Sequence, residues 1–177
     1  MYITNIETER LVIRRLYKSD SELWKKFFIN NPGIDFLGLE VDMSIEDQSK
    51  SWIDKQLSRY ANNLFGHQAL IEKESGLLIG QCGLLTQEIE GNKEIEVGYH
   101  ILPKYWGMGY ATEAATKFRN FAFENELTDT LISVIDIRNT KSMNVARKLG
   151  MKQEKQLKIH GLDVWIYRIN KENWICL

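Results

Sequence analysis

Residues 94–124, EIEVGYHILPKYWGMGYATEAATKFRNFAFE, carry three patterns in succession, and together they leave few folds open. Ile95, Val97, Tyr99 and Ile101 alternate with Glu96, Gly98 and His100, the two-residue period of a strand. Pro103 ends it. Ala111, Ala114, Ala115, Phe118 and Ala122 then recur at helical spacing, which predicts a helix with one apolar face. Between strand and helix lies Trp106-Gly107-Met108-Gly109-Tyr110-Ala111. Without a Cβ, Gly107 and Gly109 can take positive φ and let a ligand approach the main chain. The small side chain of Ala111 keeps the helix entry open. The N–H groups of a first helical turn have no partner inside the helix, and the helix dipole puts partial positive charge behind them. Such an entry is a phosphate cradle. Two other phosphate loops do not fit. Tyr110-Ala111 follow Gly109 where a Walker loop needs Lys-Ser/Thr. Thr112 stands where a dinucleotide fingerprint has its third glycine, and that fingerprint also wants an acidic residue closing a second parallel strand.

Turn signals and apolar periods order the rest. Residues 6–15 open with a strand, Leu11 and Ile13 alternating with Val12 and Arg14. Ser19-Asp20 offer a cap for a helix with Leu23, Trp24, Phe27 and Phe28 inward, stopped by Pro32-Gly33. Residues 34–43 read as an apolar loop. Ser44 with Asp47 caps a helix over residues 45–63, with Trp52, Ile53 and Leu57 inward. Strands follow at 67–72, 77–85 and 94–101, and the short turns between them predict antiparallel pairing. In the second of these, Gly80, Cys82 and Leu84 share one face, and Ile79, Gln81, Gly83 and Leu85 the other. After the central helix, residues 131–137 (LISVIDI) read as a strand buried on both faces. Asn139 caps a short helix with Val145, Ala146 and Leu149 inward and Gly150 beyond its end. A hairpin turned at His160-Gly161 closes the chain. The order β-α-α-β-β-β-α-β-α-β-β predicts one α/β (α+β) domain over residues 1–177, its sheet covered by helices on both faces.

Composition excludes several classes. A net charge of −1 argues against a nucleic-acid surface. Cys82 and Cys176 are too few for a disulfide framework, and with His67, His100 and His160 scattered there is no metal-ligand spacing. No apolar run approaches the roughly 18 residues needed to cross a bilayer. MYITNIETER has no apolar signal region, so the expected compartment is the cytoplasm.

Glu96-Val97-Gly98-Tyr99, Pro103 and Trp106 to Ala114 (WGMGYATEA) resemble the acetyl-coenzyme A motif of the GNAT N-acetyltransferases. The wording is nearest to the group that acetylates ribosomal-protein N-termini. In that family the loop reads Gln/Arg-x-x-Gly-x-Gly/Ala. Gly109 and Ala111 match its last two positions, and Trp106 replaces the commoner Gln or Arg. Asn139, Ser142, Val145 and Lys148-Leu149-Gly150-Met151 resemble the family's second block, N-x-x-S-x-x-V-x-x-K-L-G-F. The element order matches the GNAT fold, a mixed, mostly antiparallel twisted sheet of about seven strands.

The resemblance implies acetyl-CoA as co-substrate and an amine as acceptor. It implies that Gly107, Met108, Gly109, Tyr110, Ala111 and Thr112 hold the pyrophosphate. Tyr99, His100 and Ile101 are candidates for oxyanion and pantetheine contacts, and Asn139 for a coenzyme or amine contact as well as for its cap. Glu96 is the candidate general base, with Glu94 in reserve. The tyrosine that many members use to protonate the leaving thiolate is replaced by Ala146, which leaves Ser142 as the candidate acid. Among Arg138, Lys141, Arg147 and Lys148, some are candidates for the 3′-phosphate and at least two are expected simply to be exposed. The expected acceptor is a protein N-terminus first and a small-molecule amine second, in a pocket walled by the first two helices and by Phe36 and Leu37. A non-catalytic acyl-CoA-binding module is the rival class.

Overall fold

The computed structural model describes residues 2–4, 6–39 and 42–174. Strands β1 (Ile6–Glu7), β2 (Leu11–Arg14), β3 (Gln68–Glu72), β4 (Leu78–Ile89), β5 (Asn92–Ile101), β6 (Thr130–Asp136), β7 (Lys152–Ile159) and β8 (Leu162–Asn170) form one sheet. Its order is β1-β2-β3-β4-β5-β6-β8-β7. The helices are α1 (Asp20–Phe28), α2 (Ile45–Ala61), α3 (Tyr110–Glu124), α4 (Thr140–Lys148) and the short α5 (Lys171–Trp174). Glu40, Val41 and Cys176 lie outside the described residues.

The eighth strand comes from the first segment, which doubles back. Thr8 N donates to Leu11 O at 2.9 Å, Leu11 N donates to Thr8 Oγ1 at 3.0 Å, and Ile6 pairs with Ile13. Strands joined by short turns are antiparallel, as expected. Only β5 and β6, joined through α3, pair in parallel. The face assignment along β4 needs one correction. Leu70 pairs with Gly80 but Ile71 pairs with Leu78, so Ile79 is the extra residue of a bulge. Its side chain joins Cys82 and Leu84 in the core instead of lying with Gln81.

One core lies between the sheet and α3 with α4, built from Leu11, Leu70, Val97, Phe118, Leu131 and Ala146 among others. A second lies under α1 and α2, where Trp24, Phe27, Phe28 and Ile53 pack on Ala69 and Leu78. Leu23, expected inward, is 43% exposed, because it sits one helical step off the Trp24–Phe27–Phe28 stripe. Ser19 makes no side-chain cap bond. Buried Asp20 instead ties the preceding turn to the helix, accepting from Tyr17 N at 2.8 Å and pairing with Arg14. Ser44 caps α2 as expected, its hydroxyl accepting from Asp47 N at 3.1 Å. No described helix is long and apolar enough to cross a membrane.

Candidate active site

The site begins where β5 and β6 part. They share one register pair, Glu96 with Ile132. Beyond it the facing main-chain groups find side chains instead of each other. Ser133 Oγ donates to Val97 O at 2.8 Å, and Val134 N donates to Glu96 Oε1 at 3.2 Å. Glu96 therefore sits in the fork itself, 8% exposed, its second oxygen accepting from Gln87 Nε2 at 2.5 Å. Burial raises its pKa above the ordinary carboxylate range, opposed by these two hydrogen bonds. Glu94, the reserve base, is instead held by Arg168 through contacts of 2.8 and 3.0 Å.

Main-chain direction alternates along β5. Val97 O faces β6, whereas Leu102 N donates to Ile79 O of β4. The backbone groups of Tyr99 and Ile101 thus point into the fork, and those of His100 point to β4. The Ile101 carbonyl is taken by Trp106 Nε1 at 2.7 Å. The Tyr99 hydroxyl crosses the opening and donates to Ser142 O on α4 at 2.8 Å.

The glycine loop stands at the open end. Gly107 has φ 78° and Gly109, immediately before α3, has φ 87°. The helix ladder starts with Glu113 N donating to Gly109 O at 3.0 Å, so the N–H groups of Tyr110, Ala111 and Thr112 precede it. Gly107, Met108 and Gly109 are exposed, and a Cβ at Gly107 would meet nothing within 4 Å. A diphosphate fits this entry: it is open, rich in main-chain donors and at the positive end of a helix.

A clamp that sequence reading missed holds the loop. Arg10 Nη1 donates to Met108 O at 3.0 Å, and its Nε and Nη2 reach Glu113 Oε2 at 2.7 and 2.6 Å. The other Glu113 oxygen accepts from Thr8 Oγ1 at 2.5 Å and from Arg10 N at 2.9 Å. The turn between β1 and β2 is thereby bolted to the first turn of α3. Glu113, an acid in a first helical turn, was the available signal. Its partners lie about a hundred residues away, beyond any local pattern. Tyr110 adds a third anchor through its hydroxyl to Glu72.

The second block meets the loop from the other side. Asn139 Oδ1 accepts from Ser142 N at 3.1 Å, so the asparagine does cap α4. Asn139→Ala is expected to lower stability by about 1 kcal/mol, a fall of about 2–4 °C in melting temperature for a domain of this size. A parallel titration with acetyl-CoA reads any ligand contact separately, because loss of the cap alone leaves the affinity unchanged. Ser142 is half-buried, and its hydroxyl bonds to no other described residue. Lys141 Nζ lies 4.1 Å from the Trp106 ring centroid, beside the glycine loop. Arg138 is engaged elsewhere. It forks onto Asp136 at 2.8 and 2.7 Å and reaches Asp35 O at 3.0 Å, with Phe36 beneath it at 5.3 Å. Arg147 contacts Asn144 and Tyr167.

On the α1–α2 side, Phe27, Trp52, His67 and His100 form an aromatic wall next to Gly98. Burial pushes the His100 pKa down to about 4. Leu37 packs against the apolar cluster that holds Phe27 and Trp52, and Phe36 lies under Arg138 at the end of β6. An open groove of about 790 Å³ along α2, lined by Asp47, Lys50, Asp54 and others, shares no residue with the site and is a solvated helix face. No metal-holding group of three or more His, Cys, Asp or Glu is found among the described residues.

Known proteins share this fold. The family model described as acetyltransferase (GNAT) domain matches residues 10–152. The chain is 26% identical to the uncharacterized protein YkkB of Bacillus subtilis, over 96% of this chain and 98% of that one. The crystal structure of an acetyltransferase from Agrobacterium tumefaciens is 27% identical and superposes with TM-score 0.77 over 95% of each chain. RimL, described as a ribosomal L7/L12 alpha-N-protein acetyltransferase in complex with coenzyme A, shares the fold at TM-score 0.72 and 13% identity, over 92% of this chain and 95% of that one. A family match over residues 10–152, most of the chain, makes this protein a member of the GNAT acetyltransferases and an acetyl-transferring enzyme.

Proposed function

We propose that this enzyme transfers acetyl from acetyl-CoA to the α-amine of a protein N-terminus. Glu96 in the fork carries the acetyl-transfer part of this reading, as a buried proton acceptor that reaches Val134 N across the gap between β5 and β6. Acetyl-CoA supplies an acetyl thioester. The loop from Gly107 to Thr112 would bind its diphosphate, with Asn139 and Lys141 alongside. Glu96, directly or through a water, takes the proton that the amine sheds as its nitrogen bonds to carbon. The Tyr99 N–H lies where negative charge on the acyl oxygen is stabilised. The Ser142 hydroxyl, or a water bound to it, gives the sulfur its proton as the C–S bond breaks and regains one from solvent, to which Glu96 releases the proton taken from the amine.

The charge pattern favours a single amine over a polyamine. On this side of the sheet Arg168 pairs with both Glu94 and Glu154, and Arg138 with Asp136, whereas Glu96 makes no salt bridge among the described residues. A polycation needs a row of free carboxylates, and here arginines neutralise it. The test is acetyl-CoA turnover against peptides with free or blocked α-amines, lysine side-chain peptides and spermidine. Peptides with a free α-amine are expected to give the highest kcat/KM. Faster turnover of spermidine would overturn the assignment.

A further inference from the structure

His67 is the most conspicuous group that the reaction above leaves unused. It is 3% exposed, and neither ring nitrogen has a hydrogen-bond partner among the described residues. Its main chain is held on both sides by α2: His67 N donates to Gln56 Oε1 at 2.9 Å, and the Tyr60 hydroxyl donates to His67 O. The ring is therefore fixed in place by contacts that leave its nitrogens free. It lies over two glycines that pair directly across the strands, Gly83 of β4 and Gly98 of β5. A Cβ on Gly98 would come within 2.6 Å of His67 Nε2. One on Gly83 would come within 2.6 Å of Gly66 O and 2.8 Å of His67 Cα. Gly98 thus gives up a side chain to admit this imidazole, and Gly83 one to admit the Gly66–His67 main chain, at a cost to both strands.

A purely structural filler at this position would be apolar, because a buried nitrogen without a protein partner is destabilising. Next to it Gln81 has the same character. Its Oε1 accepts from Trp52 Nε1 at 3.0 Å, and its Nε2 is buried without a partner. His100 stands edge-on to His67, with ring centroids 4.9 Å apart, and Trp52 lies near-parallel to His67 at 6.3 Å. Burial keeps both imidazoles uncharged at neutral pH, with the neighbouring His100 adding to the effect on His67. A neutral imidazole has one N–H donor and one lone-pair acceptor.

We infer that His67 is a substrate-contacting residue of the acceptor site, its free ring nitrogen beside Gly98 accepting a hydrogen bond from the incoming amine. The contact holds a neutral amine by its N–H and leaves the nitrogen lone pair directed at the acyl carbon. It rests on the acetyl-transfer reading, and the experiment separates the two. His67→Phe keeps an aromatic ring over the glycine pair and removes both nitrogens. Its melting temperature is expected to hold or rise. The KM for the amine is expected to increase and kcat/KM to fall about ten-fold or more, while affinity for acetyl-CoA stays within about two-fold. A structural role alone predicts unchanged amine kinetics, or parallel losses for both substrates, and either result overturns the inference while acetyl transfer stands. Should the variant fail to fold, side-chain nitrogen NMR of the wild type decides. Saturation with the N-acetylated product should shift the His67 ring nitrogens, and a static signal at saturation overturns the contact. Absence of amine acetylation by the wild type itself would overturn the proposed function, and this contact with it.

Discussion

Gly109→Trp is expected to abolish measurable binding of acetyl-CoA while leaving the domain folded. At φ 87°, Gly109 occupies backbone space that costs an L-residue roughly 1–2 kcal/mol. A Cβ here stands at ordinary contact distance, 3.4 Å, from Arg10 Nη2, so the bulk of the side chain is added at the loop mouth beside the clamp. An indole must either fill the loop mouth or push Arg10 away from Met108 O and Glu113. Either outcome removes the main-chain donors from reach of a diphosphate. The position is exposed, so the cores are untouched. Calorimetry and thermal shift check it together. A ligand at a hundred times its Kd stabilises wild type by about 2.7 kcal/mol, and that gain should vanish in the variant. Gly109→Ala is the graded control, with the backbone strain but little bulk. Undiminished affinity in Gly109→Trp would remove the loop from the binding site.

Glu96→Gln should lower kcat/KM by about 10²-fold or more, the range for losing a positioned proton acceptor. The substitution is mild for the fold. A glutamine carbonyl can still accept from Val134 N, and the Gln87 amide can turn its oxygen toward the new NH₂. The sign of the linkage separates folding from catalysis. A carboxyl whose folded pKa is raised contributes stability below its unfolded pKa and loses it as pH rises through the folded one. Removing the charge should therefore leave the variant at least as stable as wild type at neutral pH. In activity the direction reverses. The wild type needs the carboxylate, so kcat/KM should fall as pH drops through this raised pKa, and that limb should be missing from the variant. The acceptor sets the size of the effect. An α-amine with pKa near 8 is about a tenth neutral at pH 7, whereas a lysine amine lies about 3.4 units higher than pH 7, about 4.6 kcal/mol away. The loss should thus be larger on lysine peptides than on α-amines. Equal kcat/KM in wild type and variant would assign the proton to another group.

Much of this was written locally. The β5–loop–α3 run could be read from period and glycine placement, because alternation, helical spacing and positive φ each depend on a few adjacent residues. So could the caps at Ser44 and Asn139 and the hairpin at His160-Gly161, where φ is 48° and 82°. The bulge at Ile79 was not, because it is set by the register of β3 against β4. Nor was the Arg10–Glu113 clamp, whose members join only when β1 and β2 reach α3. Ser19 looked like the cap of α1, but Asp20, a residue later, already had Arg14 beside it.

The one-dimensional order thus determined the elements and the cradle, since hydrogen-bond periodicity and backbone freedom act over a few residues. Which acids are neutralised, which carbonyls are covered and where His67 lies were decided by the folded sheet. These depend on side chains from distant strands competing for the same partners in a dry interior, and no local pattern records that competition.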